Sequence, residues 1–163
     1  MLHEYIVSSR KLYIRGSAKL SSSQREAMAP FFPSGILRQA RITLLKGQRV
    51  EEPAFYDFAR RMGIENLPGF GDTVAITFNN LIVSEQELKN RVLFHELVHV
   101  IQYAVMGTKE FAEKYVDGFV SHGSYEEIPL EKMALKLENR FRKDKQPFSV
   151  ADELTLWRQA GQF

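Results

Sequence analysis

The chain has 163 residues, a formal net charge of +2 and no cysteine, with 44% apolar and 26% charged residues. That is enough chain for one hydrophobic core, so a single domain over residues 1–163 is expected. The near balance of charge gives no electrostatic case for nucleic acid, the missing thiols exclude disulfides and thiolate-held metal, and no run of 18 apolar residues marks a membrane span.

Taken in order, Tyr5-Ile6-Val7 and Leu12-Tyr13-Ile14 read as short β-prone pieces around a polar interval. Ser23-Gln24-Arg25-Glu26 matches a capping box and predicts a short helix, ended by Pro30 and Pro33. Residues 36–45 read as a strand or a short helix, punctuated by Gly47. Residues 53–62 predict a helix that Gly63 terminates, and the turn-rich 67–72 holds glycines too irregularly spaced for a phosphate loop.

Residues 74–78, the pair Asn79-Asn80 and residues 81–83 predict a β-hairpin, since Asn tolerates the positive φ of a two-residue turn. Its second strand, near Leu81 to Ser84, is expected at a sheet edge open to an extended peptide. Ser84-Glu85-Gln86-Glu87 matches another capping box and predicts the start of a long helix, which Gly107 should stop. Thr108 can cap a further helix to about Phe119, its Phe111, Tyr115 and Phe119 facing the core. After the loop 121–125, Pro129 suits the first turn of a helix over about 130–143, and Ser149 can cap a last one holding Leu154 and Trp157.

The long helix carries the residues that matter most. His95-Glu96-Leu97-Val98-His99 is a His-Glu-x-x-His motif, and four residues on a helix return to the same face. Two imidazoles can therefore reach one metal ion, while Glu96, one position round, can take a proton from a metal-activated water. The chain has only four histidines, and residues 92–101 are otherwise apolar, which suits a buried active-site helix. The bland alternative, a core helix with two hydrogen-bonded histidines, carries three polar groups at an unfavourable desolvation cost.

A zinc site needs a third protein ligand. Gly and His three and six residues beyond His99 would mark a metzincin, but Gln102 and Val105 stand there. Glu131, in Glu131-Lys132-Met133-Ala134, is the first candidate: a small residue one turn on permits close helix packing, and a cation would relieve the crowding of Glu126, Glu127 and Glu131. His122 is the alternative, with Asp117 and Glu127 behind it. Tyr125 or His122 could donate a hydrogen bond to a developing oxyanion. Gln102, near His99, could orient that ligand or simply serve packing.

His95 to Gln102, followed by Tyr125-Glu126-Glu127-Ile128-Pro129-Leu130-Glu131 and Ala134, resembles a group of uncharacterised bacterial zincin-like metallopeptidases, some associated with contractile injection systems and toxins. The resemblance covers roughly residues 73–143. It implies a zincin-like α+β domain, mostly helical with a small hairpin or sheet before the motif helix, in which His95, His99 and Glu131 bind Zn2+ and Glu96 is the base.

The expected function is thus a zinc peptidase acting on peptide or protein, with Glu96 and Tyr125 as catalytic residues and with no nucleic-acid or membrane partner. The alternatives are a non-catalytic zinc-binding structural or interaction domain, and hydrolysis of a non-peptide amide or ester. No basic stretch leading into an apolar run follows Met1, so the cytoplasm is the expected location, with signal-independent export as the alternative.

Overall fold

From Leu93 to Tyr103 every residue except His95 is buried, so this stretch has core on nearly all sides. It belongs to helix α5 (Asn90–His122), about which the rest of the fold is arranged. The computed structural model describes residues 1–64, 67, 74–144 and 146–163, so most of the turn expected at 67–72 lies outside the described residues. The fold is α+β: seven α-helices among the described residues and a small mixed sheet of four strands. None of the described helices is long and apolar enough to cross a membrane.

The first helix corrects the expectation of β-pieces at residues 5–7 and 12–14. The first lies in α1 (Leu2–Tyr13) and the second at its end, with Ile14 opening a 3₁₀ turn, because Leu2, Tyr5, Ile6, Ser9 and Tyr13 recur at helical spacing and pack inward. Tyr5 meets the Phe78 ring edge-on and Tyr13 stacks on it, contacts too distant in sequence for local propensity to reveal. The capping box also sits two residues earlier than expected. Ser21 Oγ accepts from the Gln24 backbone N–H at 3.1 Å, and Gln24 Oε1 accepts from the Ser21 N–H at 2.9 Å, opening α2 (Ser22–Met28).

The ambiguous stretch at 36–45 contains both alternatives: α3 (Ser34–Gln39) and then strand β2 (Arg41–Leu44). β2 pairs antiparallel with β1 (Ala18–Lys19) and parallel with β4 (Leu81–Ser84), which pairs antiparallel with β3 (Ala75–Phe78). The order is β1-β2-β4-β3, so the hairpin forms as expected, with Asn79 at φ 62°. Its second strand, however, is central and wholly buried rather than an edge, because β2 crosses over to cover it. Among the described residues the edge strands are the two-residue β1 and, beside the hairpin partner, β3.

Alternation decides what the β3 edge presents. Phe78 and Leu81 flank the two-residue turn, and the Glu85 N–H donates to Val74 O, so Val74, Ile76 and Phe78 turn their backbone groups toward β4. The N–H and C=O of Ala75 and Thr77 therefore point away from the ladder.

Helix α4 (Phe55–Arg61) ends before Gly63, at φ 79°, as expected. The second expected capping box does not form. Ser84 remains in β4, its hydroxyl within 2.9 Å of Val74 O and 2.7 Å of Gln86 O, and α5 begins only at Asn90. Gly107 breaks α5 as anticipated, with φ 74° and ψ 166°, and the helix resumes to His122. Thr108 Oγ1 accepts a hydrogen bond from Asn79 Nδ2 at 3.0 Å, tying this kink to the hairpin turn. The remaining helices are α6 (Pro129–Lys143) and α7 (Val150–Gln159), the latter capped by Ser149 as expected.

Two apolar clusters hold α5 in place. In the first, Phe94 stacks on Phe141 at 4.5 Å and meets Phe31 and Phe32 edge-on. Burying such a ring contributes about 1.5–3 kcal/mol, which anchors the helix one residue from His95. In the second, Tyr103 stacks on Phe111 at 3.8 Å across the Gly107 kink. Helix α6 packs along α5 through Leu130, Met133, Ala134 and Leu137, and Glu131 and Glu138 lie on the same buried side.

Candidate metal centre

His95 and His99 lie one turn apart on α5, and their Nε2 atoms stand 3.1 Å from each other. Glu131, in the first turn of α6, brings Oε2 to 3.4 Å from His95 Nε2 and 3.3 Å from His99 Nε2. Ligand atoms about 2.0–2.1 Å from one tetrahedral ion would stand roughly 3.3 Å apart. All three separations are close to that edge length. Among the described residues these three form a group whose ligand atoms could hold a metal ion.

Hydrogen bonds behind the rings determine which nitrogens face the shared point. Gln102 is fully buried, and its Nε2 donates to Leu130 O at 3.0 Å. Its Oε1 therefore accepts from His99 Nδ1–H at 2.8 Å, leaving the His99 Nε2 lone pair directed at the cluster. Glu138, an acceptor, stands 3.0 Å from His95 Nδ1 and imposes the same tautomer on His95. Arg91 Nε lies 2.9 Å from the other Glu138 oxygen and holds that carboxylate in turn.

Electrostatics favour a cation at this point. Burial works against the imidazolium form at His95 and His99, but the facing Glu131, joined by Glu138 at His95, outweighs it and raises both pKa values. Burial likewise opposes ionised Glu131, yet the two imidazoles hold its carboxyl well below the usual range. Glu131 Oε2 is buried without a hydrogen-bond partner among the described residues. Two lone pairs and an unpaired carboxylate oxygen on one point fit a zinc-type His-His-Glu donor set.

Glu96 is buried beside this cluster, and Thr77 Oγ1 donates to its Oε2 at 2.7 Å. A cavity of about 80 Å³ joins the two, lined by Glu96, His99 and Glu131 on one side. All four β3 residues, Ala75 to Phe78, also line it. Side chains alternate along a strand, so four consecutive lining residues mean that the cavity follows the strand edge.

Tyr125 lies in a 3₁₀ turn before α6 and lines the same cavity, as do Tyr103 and Tyr115. Burial, followed by the negative charge of Glu131, pushes the Tyr125 and Tyr115 phenols well above their ordinary pKa, so both remain proton donors. Of the other candidates, His122 is exposed, donates from Nδ1 to Gly118 O at 2.8 Å and does not join the cluster. Asp117 is exposed, and exposed Glu127 pairs with Lys132 at 2.6 Å.

Sequence reading missed Glu138, Thr77 and the cavity roles of Tyr103, Phe111 and Tyr115. Glu138 left one signal: it stands seven residues after Glu131, an acid on the apolar stripe of an amphipathic helix. Tyr115, assigned to the core, does pack there but also faces the site, because the Gly107 kink turns the second part of α5 back toward it. Compared with protein-family models, curated proteins and solved structures, the chain matches none.

Proposed function

We propose that the chain is a zincin-like zinc peptidase, with His95, His99 and Glu131 as ligands and Glu96 as general base. The observation that carries this reading is the tetrahedral spacing of three ligand atoms, on half-buried His95 and buried His99 and Glu131, beside a carboxylate held by Thr77. A bound zinc ion would supply a Lewis acid and bring the pKa of water in its open position to about 7.

The chain's own residues account for the remaining chemistry. An extended peptide adds to β3 by pairing with the outward N–H and C=O of Thr77 and Ala75, which brings a peptide bond to Glu96. Glu96 accepts a proton from the attacking water as the new C–O bond forms. It returns that proton to the leaving nitrogen as the C–N bond breaks. Thr77 keeps the carboxylate oriented, and its position on the substrate-pairing strand couples binding to base placement. Tyr125 donates to the oxyanion, a role suited to a phenol that stays protonated.

Zinc analysis of the purified chain, followed by digestion of a mixed peptide library by wild type and Glu96→Gln, tests this reading. About one zinc per chain and cleavage by wild type alone support it. Zinc without cleavage moves the site to the structural alternative, and absence of zinc removes both readings.

A further inference from the structure

Resting on the peptidase reading, we infer that the cavity beside Glu96 and His99 selects a medium-sized aliphatic side chain, that of Val, Leu, Ile or Met, on a residue flanking the scissile bond. Its walls away from the cluster are apolar: Leu2 and Ile6 from α1, Ile76 and Phe78 from β3, and Phe111 beyond the α5 kink. Leu2 and Ile6 stand four apart on α1 and present one surface, so the helix that sequence reading misassigned builds a wall of the cleft.

Charge excludes two substrate classes. The charged groups lining the cavity are Glu96 and Glu131, with no Lys or Arg among its lining residues. An acidic side chain would face the Glu96 carboxylate and find no Lys or Arg to pair with. A basic one would find Glu131 directed at His95 and His99 and Glu96 engaged by Thr77, and would be desolvated without a partner of its own.

Size narrows the choice further. The cavity holds about 80 Å³, roughly half of the ~150 Å³ that accommodates a benzene ring in an apolar protein cavity. An indole, larger than benzene, exceeds that space. Apolar pockets of this kind discriminate by about 10–200-fold per methylene gained or lost.

The test uses the zinc-loaded full chain and capped peptides identical except at one residue X, with products identified by mass. With X as Leu, Ile, Val or Met, kcat/KM next to X should exceed that for Glu, Lys or Trp at least tenfold; equal rates overturn the inference. Leu2→Trp, at a half-buried position, should fill the cavity and lower the Leu-to-Ala preference at least tenfold while zinc content stays unchanged. An unchanged ratio counts against this wall.

A second readout needs no turnover. In Glu96→Gln, N-acetyl-leucinamide should shift the methyl resonances of Leu2, Ile6 and Ile76, and N-acetyl-glutamate amide should not. Aliphatic-selective binding without cleavage of any peptide keeps the pocket and removes the peptidase reading. Cleavage indifferent to X does the reverse, and neither binding nor cleavage removes both.

Discussion

Glu138 Oε2 stands 3.0 Å from Nδ1 of His95, although the two residues are 43 positions apart and on different helices. This contact orients one imidazole toward the candidate metal point, as Gln102 does for the other. Arg91 extends the chain of contacts by holding the second Glu138 oxygen. Carboxylates behind metal-binding histidines fix the tautomer and raise ligand basicity.

Glu138→Gln should therefore weaken zinc affinity by about 10–100-fold without removing a ligand. Competition against a chelator of known affinity measures this, with circular dichroism confirming the fold. An affinity equal to wild type would show that His95 needs no such support.

Replacing the ligands should have a larger effect. His95→Ala, His99→Ala and Glu131→Ala should each lose most bound zinc, and added zinc should no longer raise their melting temperature. In the wild type, a ligand at 100 times its Kd stabilises by about 2.7 kcal/mol. Stoichiometric zinc in the double variant His95→Ala/His99→Ala would remove the site assignment.

Glu96→Gln should keep zinc and fold but lose activity, by about 10²–10⁴-fold in kcat, because the amide cannot accept a proton at neutral pH. Thr77→Val should be milder, since it removes only the hydroxyl that orients the carboxylate. Thr77→Ser should restore the rate. Wild-type kcat in Glu96→Gln would exclude the general-base role.

The α5–α6 packing should control the site without touching a ligand. Ala134 is fully buried, three residues after Glu131, and a Leu there should cost about 1–3 kcal/mol in overpacking. Gly118 is tighter still: a Cβ there would stand 2.8 Å from Pro129 Cδ, at the start of the helix bearing Glu131. Both Ala134→Leu and Gly118→Ala should weaken zinc binding by displacing the Glu131 carboxylate. Calorimetric titration with zinc checks this, and unchanged binding would mean that the helix contact tolerates the strain.

Local physics made part of this protein legible without coordinates. The His-x-x-x-His spacing needs only helical periodicity to bring His95 and His99 to one face, and the Asn79-Asn80 turn and the breaks at Gly63 and Gly107 follow from backbone preferences of single residues. Glu131 was legible as the first candidate, from the small Ala134 one turn on and the crowding of acids around it, with His122 left as the alternative. That choice depended on how α6 docks against α5, a matter of which apolar faces meet.

Tertiary contacts alone decided the rest. Residues 5–7 and 12–14 became helical because rings distant in sequence gave α1 an inward face, and β3 became an edge strand because β2 paired with β4 across the intervening chain. Glu138 and Thr77 reach the site through partners 43 and 19 residues away. Spacing rules describe neighbours along one helix or strand, so such long-range partners have no local signature. The sequence by itself therefore determined two imidazoles and a carboxylate on one helix, while packing between elements determined the third donor, the oriented tautomers and the apolar cleft beside them.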